Sequence, residues 1–173
     1  MQHVILSAIG ADRPGLVDEV SEFIFERAGN IEDSRMVNLR GQFAIMVLVA
    51  GSPQMLERLR SEVWQLAQKS GLQAEVRPAT SASAAAAEAM PNRLRVSAID
   101  QPGLVHRFSH LMREMQINIE SLDTKLAAAP VTGTPLFEME MLLSVPRTTP
   151  ISKFREELAK LAEEINVDWE LGK

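Results

Sequence analysis

The run Asp12-Arg13-Pro14-Gly15-Leu16-Val17 returns 88 residues later as Asp100-Gln101-Pro102-Gly103-Leu104-Val105, and Asn30-Ile31-Glu32 returns as Asn118-Ile119-Glu120 at the same offset. Two unrelated coincidences would not share one spacing, so the chain is an internal duplication. The fold is therefore one small module built twice, and each copy serves as a control for the other. The 173 residues accommodate two modules of about 75–80 residues. At that size a single core is marginal alone and gains from packing on another module or chain.

Residues 3–10 read as a buried strand, and Pro14-Gly15 opens a helix striped by Leu16, Val17, Val20, Phe23 and Ile24 and stopped by Gly29. Residues 31–39 and 43–49 read as strands around a turn at Gly41. One further helix, striped by Met55, Leu56, Leu59, Val63, Leu66 and Ala67, runs from Pro53 to Gly71, and residues 72–77 close the module. The second copy repeats this order. Its strands are 94–99, 117–126, 136–145 and 167–171. Its helices are one lined by Leu104, Val105, Phe108, Leu111, Met112 and Met115 and a second over 151–164. Matching Phe137 to Phe43 moves the offset to 94, which places an insertion around residues 127–135.

The order βαββαβ predicts an α+β class: two ferredoxin-like modules, each a four-stranded antiparallel sheet with both helices on one face. The expected modules are 1–77 and 93–173, joined by an Ala/Ser/Pro linker at 78–92. In the second copy Phe137, Met139, Met141 and Leu143 alternate with Glu138 and Glu140, one face dry and one wet. In the first copy Phe43, Ile45, Val47 and Val49 alternate with Ala44, Met46 and Leu48. An apolar second face predicts cover by the other module or by another chain, as in a homodimer. The methionines, Met36, Met46, Met112, Met139 and Met141 among them, read as core filler rather than a ligand cluster.

Composition narrows the function. With no cysteine, disulfides, thiol catalysis and cysteine metal sites are excluded, and a reducing, cytoplasmic location is expected. The N-terminus enters a strand with no signal-type lead, and no apolar run approaches a bilayer span of about 20 residues. Net charge is −5, with 8 basic and 10 acidic side chains in residues 1–77 and 10 and 12 in 93–173. Without a basic stripe or a tyrosine, no direct nucleic-acid binding is expected. Nor does any motif call for a cofactor. His106 and His110 have metal-ligand spacing on a helix, but the first copy carries Asp18 and Glu22 there, so a solvated face is expected and no metal.

The strand–Asp-x-Pro-Gly–helix junction is the best candidate site. A helix N-terminus presents free N–H groups to a carboxylate, Gly15 and Gly103 let a ligand approach the backbone, and the amides of Asn30 and Asn118 offer a donor and an acceptor. Helix capping by Asp and ordinary turn chemistry by Asn explain the same residues without a ligand. On the ligand reading, Gly15→Val abolishes binding while costing the fold only about 0.5 kcal/mol.

Two βαββαβ units with these motifs resemble tandem ACT domains, small regulatory modules that usually bind amino acids. The resemblance covers both modules and omits the linker. It implies a ligand between modules, touching the loop of one at Asp12, Arg13, Gly15 and Leu16, or Asp100, Gly103 and Leu104. The strand start of another supplies Asn30 and Ile31, or Asn118 and Ile119. Within the family, Ser7-Ala8-Ile9-Gly10-Ala11-Asp12-Arg13-Pro14-Gly15 with Asn30-Ile31-Glu32-Asp33-Ser34-Arg35 resembles a group of repressors without a DNA-binding domain. These bind a DNA-bound transcriptional activator, and glycine weakens that association. The resemblance implies no enzyme activity, a protein partner, glycine as the small amino acid, and a dominant first copy, since Gln101 replaces Arg13 in the second. A free-standing amino-acid-binding regulator of an enzyme remains open. So does an acylphosphatase-like enzyme, which shares the βαββαβ order and uses an Arg and an Asn, but the glycine-rich phosphate cradle is missing here.

Overall fold

The computed structural model describes residues 2–80, 89–128 and 133–172. In the first copy β1 (Gln2–Ala11) leads to α1 (Leu16–Phe25), the hairpin of β2 (Asn30–Leu39) and β3 (Gln42–Gly51), α2 (Pro53–Ser61), α3 (Val63–Ser70) and β4 (Gln73–Pro78). The second copy comprises β5 (Met90–Ile99), α4 (Leu104–Glu114), β6 (Asn118–Ala128), β7 (Pro135–Val145), α5 (Ile151–Ile165) and β8 (Asp168–Gly172). The sheets have orders β2-β3-β1-β4 and β6-β7-β5-β8, antiparallel at every pairing. Two compact units result, one on each sheet.

Local chemistry explains the turns. Arg40 and Gly41 both have positive φ, 50° and 81°, the two-residue hairpin geometry that matches strand twist. Along β3, Phe43, Ile45, Val47 and Val49 are buried against Val20, Phe23 and Ile24 of α1 and Leu56, Leu59 and Leu66 of α2 and α3. The second core joins Leu94, Met139, Met141 and Leu143 to Phe108, Met112, Phe154 and Leu158. Each sheet thus has one face under its helices and one open face.

The structure departs from expectation at four places. The helix expected over 53–70 is two helices, broken at Glu62 (φ −102°, ψ 2°). Beside the break the buried guanidinium of Arg27 donates to Phe23 O, to the Glu62 carboxylate at 2.9 Å and to Gln65 Oε1 at 2.7 Å. Its counterpart in the second copy is the apolar Met115, and α5 is continuous. At the end of α1 the positive-φ residue is Ala28, not Gly29. Gly29 is small for packing, because a Cβ there would come within 2.8 Å of Ile24 Cγ2. Met36 and Met46 are exposed rather than core filler, since Met36 lies on an edge strand and Met46 on the open face. Finally, the strands reach into both ends of the expected 78–92 linker. Pro78 pairs with Val4, while Met90, Pro91 and Asn92 pair with β7. Residues 81–88 of the linker and 129–132 of the expected insertion lie outside the described residues.

Candidate functional site

The β1–α1 and β5–α4 junctions are built alike. Pro14-Gly15 and Pro102-Gly103 form turns in which the glycine has φ 93° and 92° with ψ near zero, the geometry of a type II turn with Pro at its second and Gly at its third position. Each glycine is also the N-cap. Gly15 O accepts from Glu19 N and Gly103 O from Arg107 N, both at 2.9 Å, and no side chain caps either helix. The glycines are therefore required by backbone conformation. The directions a Cβ would take are open, with nothing closer than Glu19 Oε1 at 3.8 Å for Gly15 and nothing within 4 Å for Gly103. Valine at φ near 93° is strained, so the cheap Gly15→Val expected from the sequence does not hold.

The aspartates do not cap. Asp12 N donates to Gly41 O at 2.8 Å, and the Asp12 carboxylate accepts from the Asn38 amide. Asp100 N repeats the backbone bond, to Pro135 O at 3.2 Å. Leu126 stands where Asn38 does, so the Asp100 carboxylate has no such partner. Arg13 is committed to its own module. It donates both Nη atoms to Glu19, at 2.7 and 2.9 Å, and Nη2 to Ser70 O at 3.2 Å. This pairing holds the Glu19 carboxyl below the usual carboxylate range. Gln101 performs the second of these jobs, donating to Ile165 O at 3.0 Å. Position 13/101 thus ties the loop to the end of the module's last helix. Glu19 becomes Arg107 in the second copy, which would repel an arginine at 101.

Leu16 and Leu104 are buried in the cores, 1% and 4% exposed, so only their backbone N–H groups can face a ligand. The exposed apolar side chains on that turn are Val17 and Val105. Helical spacing alone had put them in the core stripe. Their recurrence directly after Pro-Gly-Leu was the available signal.

Asn30 lies across the sheet from Ala50 and His3, whereas Asp12 follows the far end of β1. Eight residues of strand separate those levels by roughly 27 Å. Within one unit the loop and the strand-start Asn therefore cannot share a ligand. The same separation removes an acylphosphatase-like pairing of Arg13 with Asn30. The repeated Asn-Ile-Glu marks a β-bulge in both copies, with register shifts between Ile31 and Asp33 and between Ile119 and Ser121. Glu32 meets His3 Nε2 at 3.0 Å. Glu120 accepts from Ser144 and from Asn118 Nδ2 (2.7 Å), which lowers its pKa. Ile31 is exposed and Ile119 half-buried. The side chains of the two copies are thus committed differently: Asp12, Arg13 and Asn118 have partners inside their modules. The first turn of α1 carries Asp18 and Glu19, whereas that of α4 has no acid. A helix N-terminus without nearby carboxylates is the better host for an anion.

His106 and His110 have ring centroids 6.0 Å apart, and no set of three metal-ligating side chains occurs among the described residues. Among those residues no helix is long and apolar enough to cross a membrane.

An ACT domain family model matches residues 2–77. The glycine cleavage system transcriptional repressor of Escherichia coli is 24% identical over 177 residues, covering 98% of this chain and 89% of that protein. A UPF0237 protein of Methanopyrus kandleri is 34% identical over 74 residues, covering 42% of this chain and 82% of its own length. A crystal structure of an unknown protein from Galdieria sulphuraria superposes with TM-score 0.82 at 28% identity, over 99% of this chain and 97% of that one. Another, provisionally described as a glycine cleavage system transcriptional repressor, gives 0.73 at 25% identity over 99% and 96%.

Proposed function

The chain belongs to the ACT-domain family, and on that premise we propose that it is an amino-acid-sensing regulator: a cytoplasmic transcriptional repressor of the glycine cleavage system that acts through a DNA-bound activator. The observation that carries this reading is the similarity to the Escherichia coli repressor across both modules, 98% of the chain. The charge balance supports it. A net charge of −5 disfavours the phosphate backbone as a partner and directs regulation through protein contacts. The role is regulatory rather than catalytic.

In this reading a small amino acid, glycine first, places its carboxylate on the free N–H groups of a Pro-Gly-capped helix. An Asn30 or Asn118 amide holds its other end. Electrostatics favour the Gly103 loop, where Asp100 remains available to an ammonium group and no first-turn acid opposes the carboxylate. Of the two asparagines, Asn118 is engaged by Glu120, which favours Asn30. The loop of the first copy, dominant by motif resemblance, becomes the weaker host for the carboxylate.

Calorimetry of the full chain against glycine and a panel of amino acids tests the ligand. Gel shifts on operator DNA, with and without the activator, test the partner. The expected result is no shift by the protein alone, a supershift with the activator, and its loss on adding glycine. A sequence-specific shift by the protein alone refutes the mechanism, and failure of every amino acid to bind refutes the sensor.

A further inference from the structure

The open faces of the two sheets differ in kind. On the first, Ile5, Ile9, Val37, Ala44, Met46 and Leu48 point away from the helices, with Met46 56%, Ile9 52% and Val37 44% exposed. In the second copy Arg93, Ser97, Lys125, Glu138 and Glu140 occupy the places of Ile5, Ile9, Val37, Ala44 and Met46. There the charges pair: Arg95 meets Glu140 at 2.8 Å and Lys125 meets Glu138 at 2.8 Å. The same strands thus form with a largely charged face, on which Leu142 keeps the place of Leu48 and Ser97 is neutral, so strand propensity does not explain the apolar one. An exposed apolar sheet face rimmed by charge is the signature of an interface.

The rim identifies the occupant. Reading across the sheet from β2 to β4, one level is Arg35, Met46, Ser7, Glu75 and the next is Asp33, Leu48, Ile5, Arg77. A third is Val37, Ala44, Ile9, Gln73. The first two levels carry opposite charges at their ends around an apolar centre. A two-fold axis parallel to the strands preserves level and reverses strand order. It therefore sets Arg35 of one copy over Glu75 of its partner, and Asp33 over Arg77, each twice. The face is complementary to itself, which an isologous dimer requires. Among the described residues of a single copy these four charges form ion pairs only along their own edge strands, Arg35 with Asp33 and Arg77 with Glu75, which also accepts from the Ser7 hydroxyl, and all four are well exposed. Three strands roughly 30 Å long and a fourth of roughly 20 Å, about 4.8 Å apart, offer on the order of 500 Å² per copy, or 1,000 Å² for the pair. That meets the lower bound for a specific interface. We infer that a second copy of this chain packs face to face on the open sheet of the first module, with strands aligned as in a two-sheet sandwich. This inference is independent of the proposed repressor function.

Light scattering and sedimentation of the full chain across the micromolar range test it. Met46→Glu introduces the residue that the second copy carries at this place, Glu140, so the sheet tolerates it. It should halve the particle mass, with an unchanged circular dichroism spectrum. Arg35→Glu should weaken association at least about tenfold, and adding Glu75→Arg should restore it by exchanging the two ends of each cross-dimer pair. Equal mass for wild type and Met46→Glu overturns the inference and leaves the face to a different protein. Failure of the double reversal to recover association also overturns it, because the two-fold arrangement then does not exist.

Discussion

Replacing Gly103 by Ala is the sharpest test of why both junction glycines are there. At φ 92° an L-residue brings its Cβ close to the following carbonyl oxygen, at about 1–2 kcal/mol. The position lies beyond the centre of the left-handed region, near φ 57°, so the upper figure applies. No neighbour adds to it, because nothing lies within 4 Å of the new Cβ. Gly15→Ala should cost the same, its nearest contact being 3.8 Å away. For a module of about 80 residues each kcal/mol moves the midpoint by roughly 4–8 °C, so about 2 kcal/mol lowers Tm by roughly 8–16 °C. Differential scanning calorimetry of the full chain should show one module's transition move in each variant, while the other stays in place. If the turn instead relaxes to negative φ, the N–H groups of α4 turn away from their present direction and amino-acid binding falls without loss of stability. A midpoint shift under about 2 °C in both variants would refute the claim that these turns require positive φ.

Asn30→Ala removes an exposed amide, so it should leave Tm within about 1–2 °C while weakening amino-acid binding by about 1–3 kcal/mol in calorimetry; unchanged affinity would place the ligand elsewhere. Arg27→Met strips a guanidinium from a residue that is 7% exposed, where it lies 3.7 Å over the Phe23 ring. Arg58 still pairs with Glu62 at 2.9 Å, so the expected cost is about 2–4 kcal/mol by urea denaturation, and a loss under about 1 kcal/mol would mean the helix break does not depend on this residue. The Glu19 carboxyl is held low by Arg13, so its contribution is present above the ordinary glutamate value of about 4.3 and is lost as pH falls through the lowered folded value. Acid titration of wild type against Glu19→Gln should therefore show the difference between them shrink below about pH 4.3; a constant difference would mean that the pair carries no linkage.

Much of this protein was legible without coordinates. The repeated motifs at one offset required two similar modules. Alternation in residues 137–143, with helical spacing at Val20, Phe23 and Ile24 and at Phe108, Leu111 and Met112, required helices laid on one face of a sheet, and the apolar run over 43–49 left its second face to be covered as well. Those are periodic properties of the chain itself, and burial of apolar side chains enforces them. Tertiary structure alone decided what each polar side chain at the junctions does. Asp12 resembles a helix cap in sequence, yet it is held by Asn38, 26 residues away. Arg13 resembles a ligand contact, yet its partners are Glu19 and the Ser70 carbonyl. Gln101, which looks like a lost function, keeps the tie to the module's last helix through Ile165 O. Proximity across the fold sets such partnerships, and spacing along the chain does not encode it. Leu16 and Val17 are neighbours in one motif, but a rotation of about 100° between consecutive helical residues sends one into the core and the other to the surface.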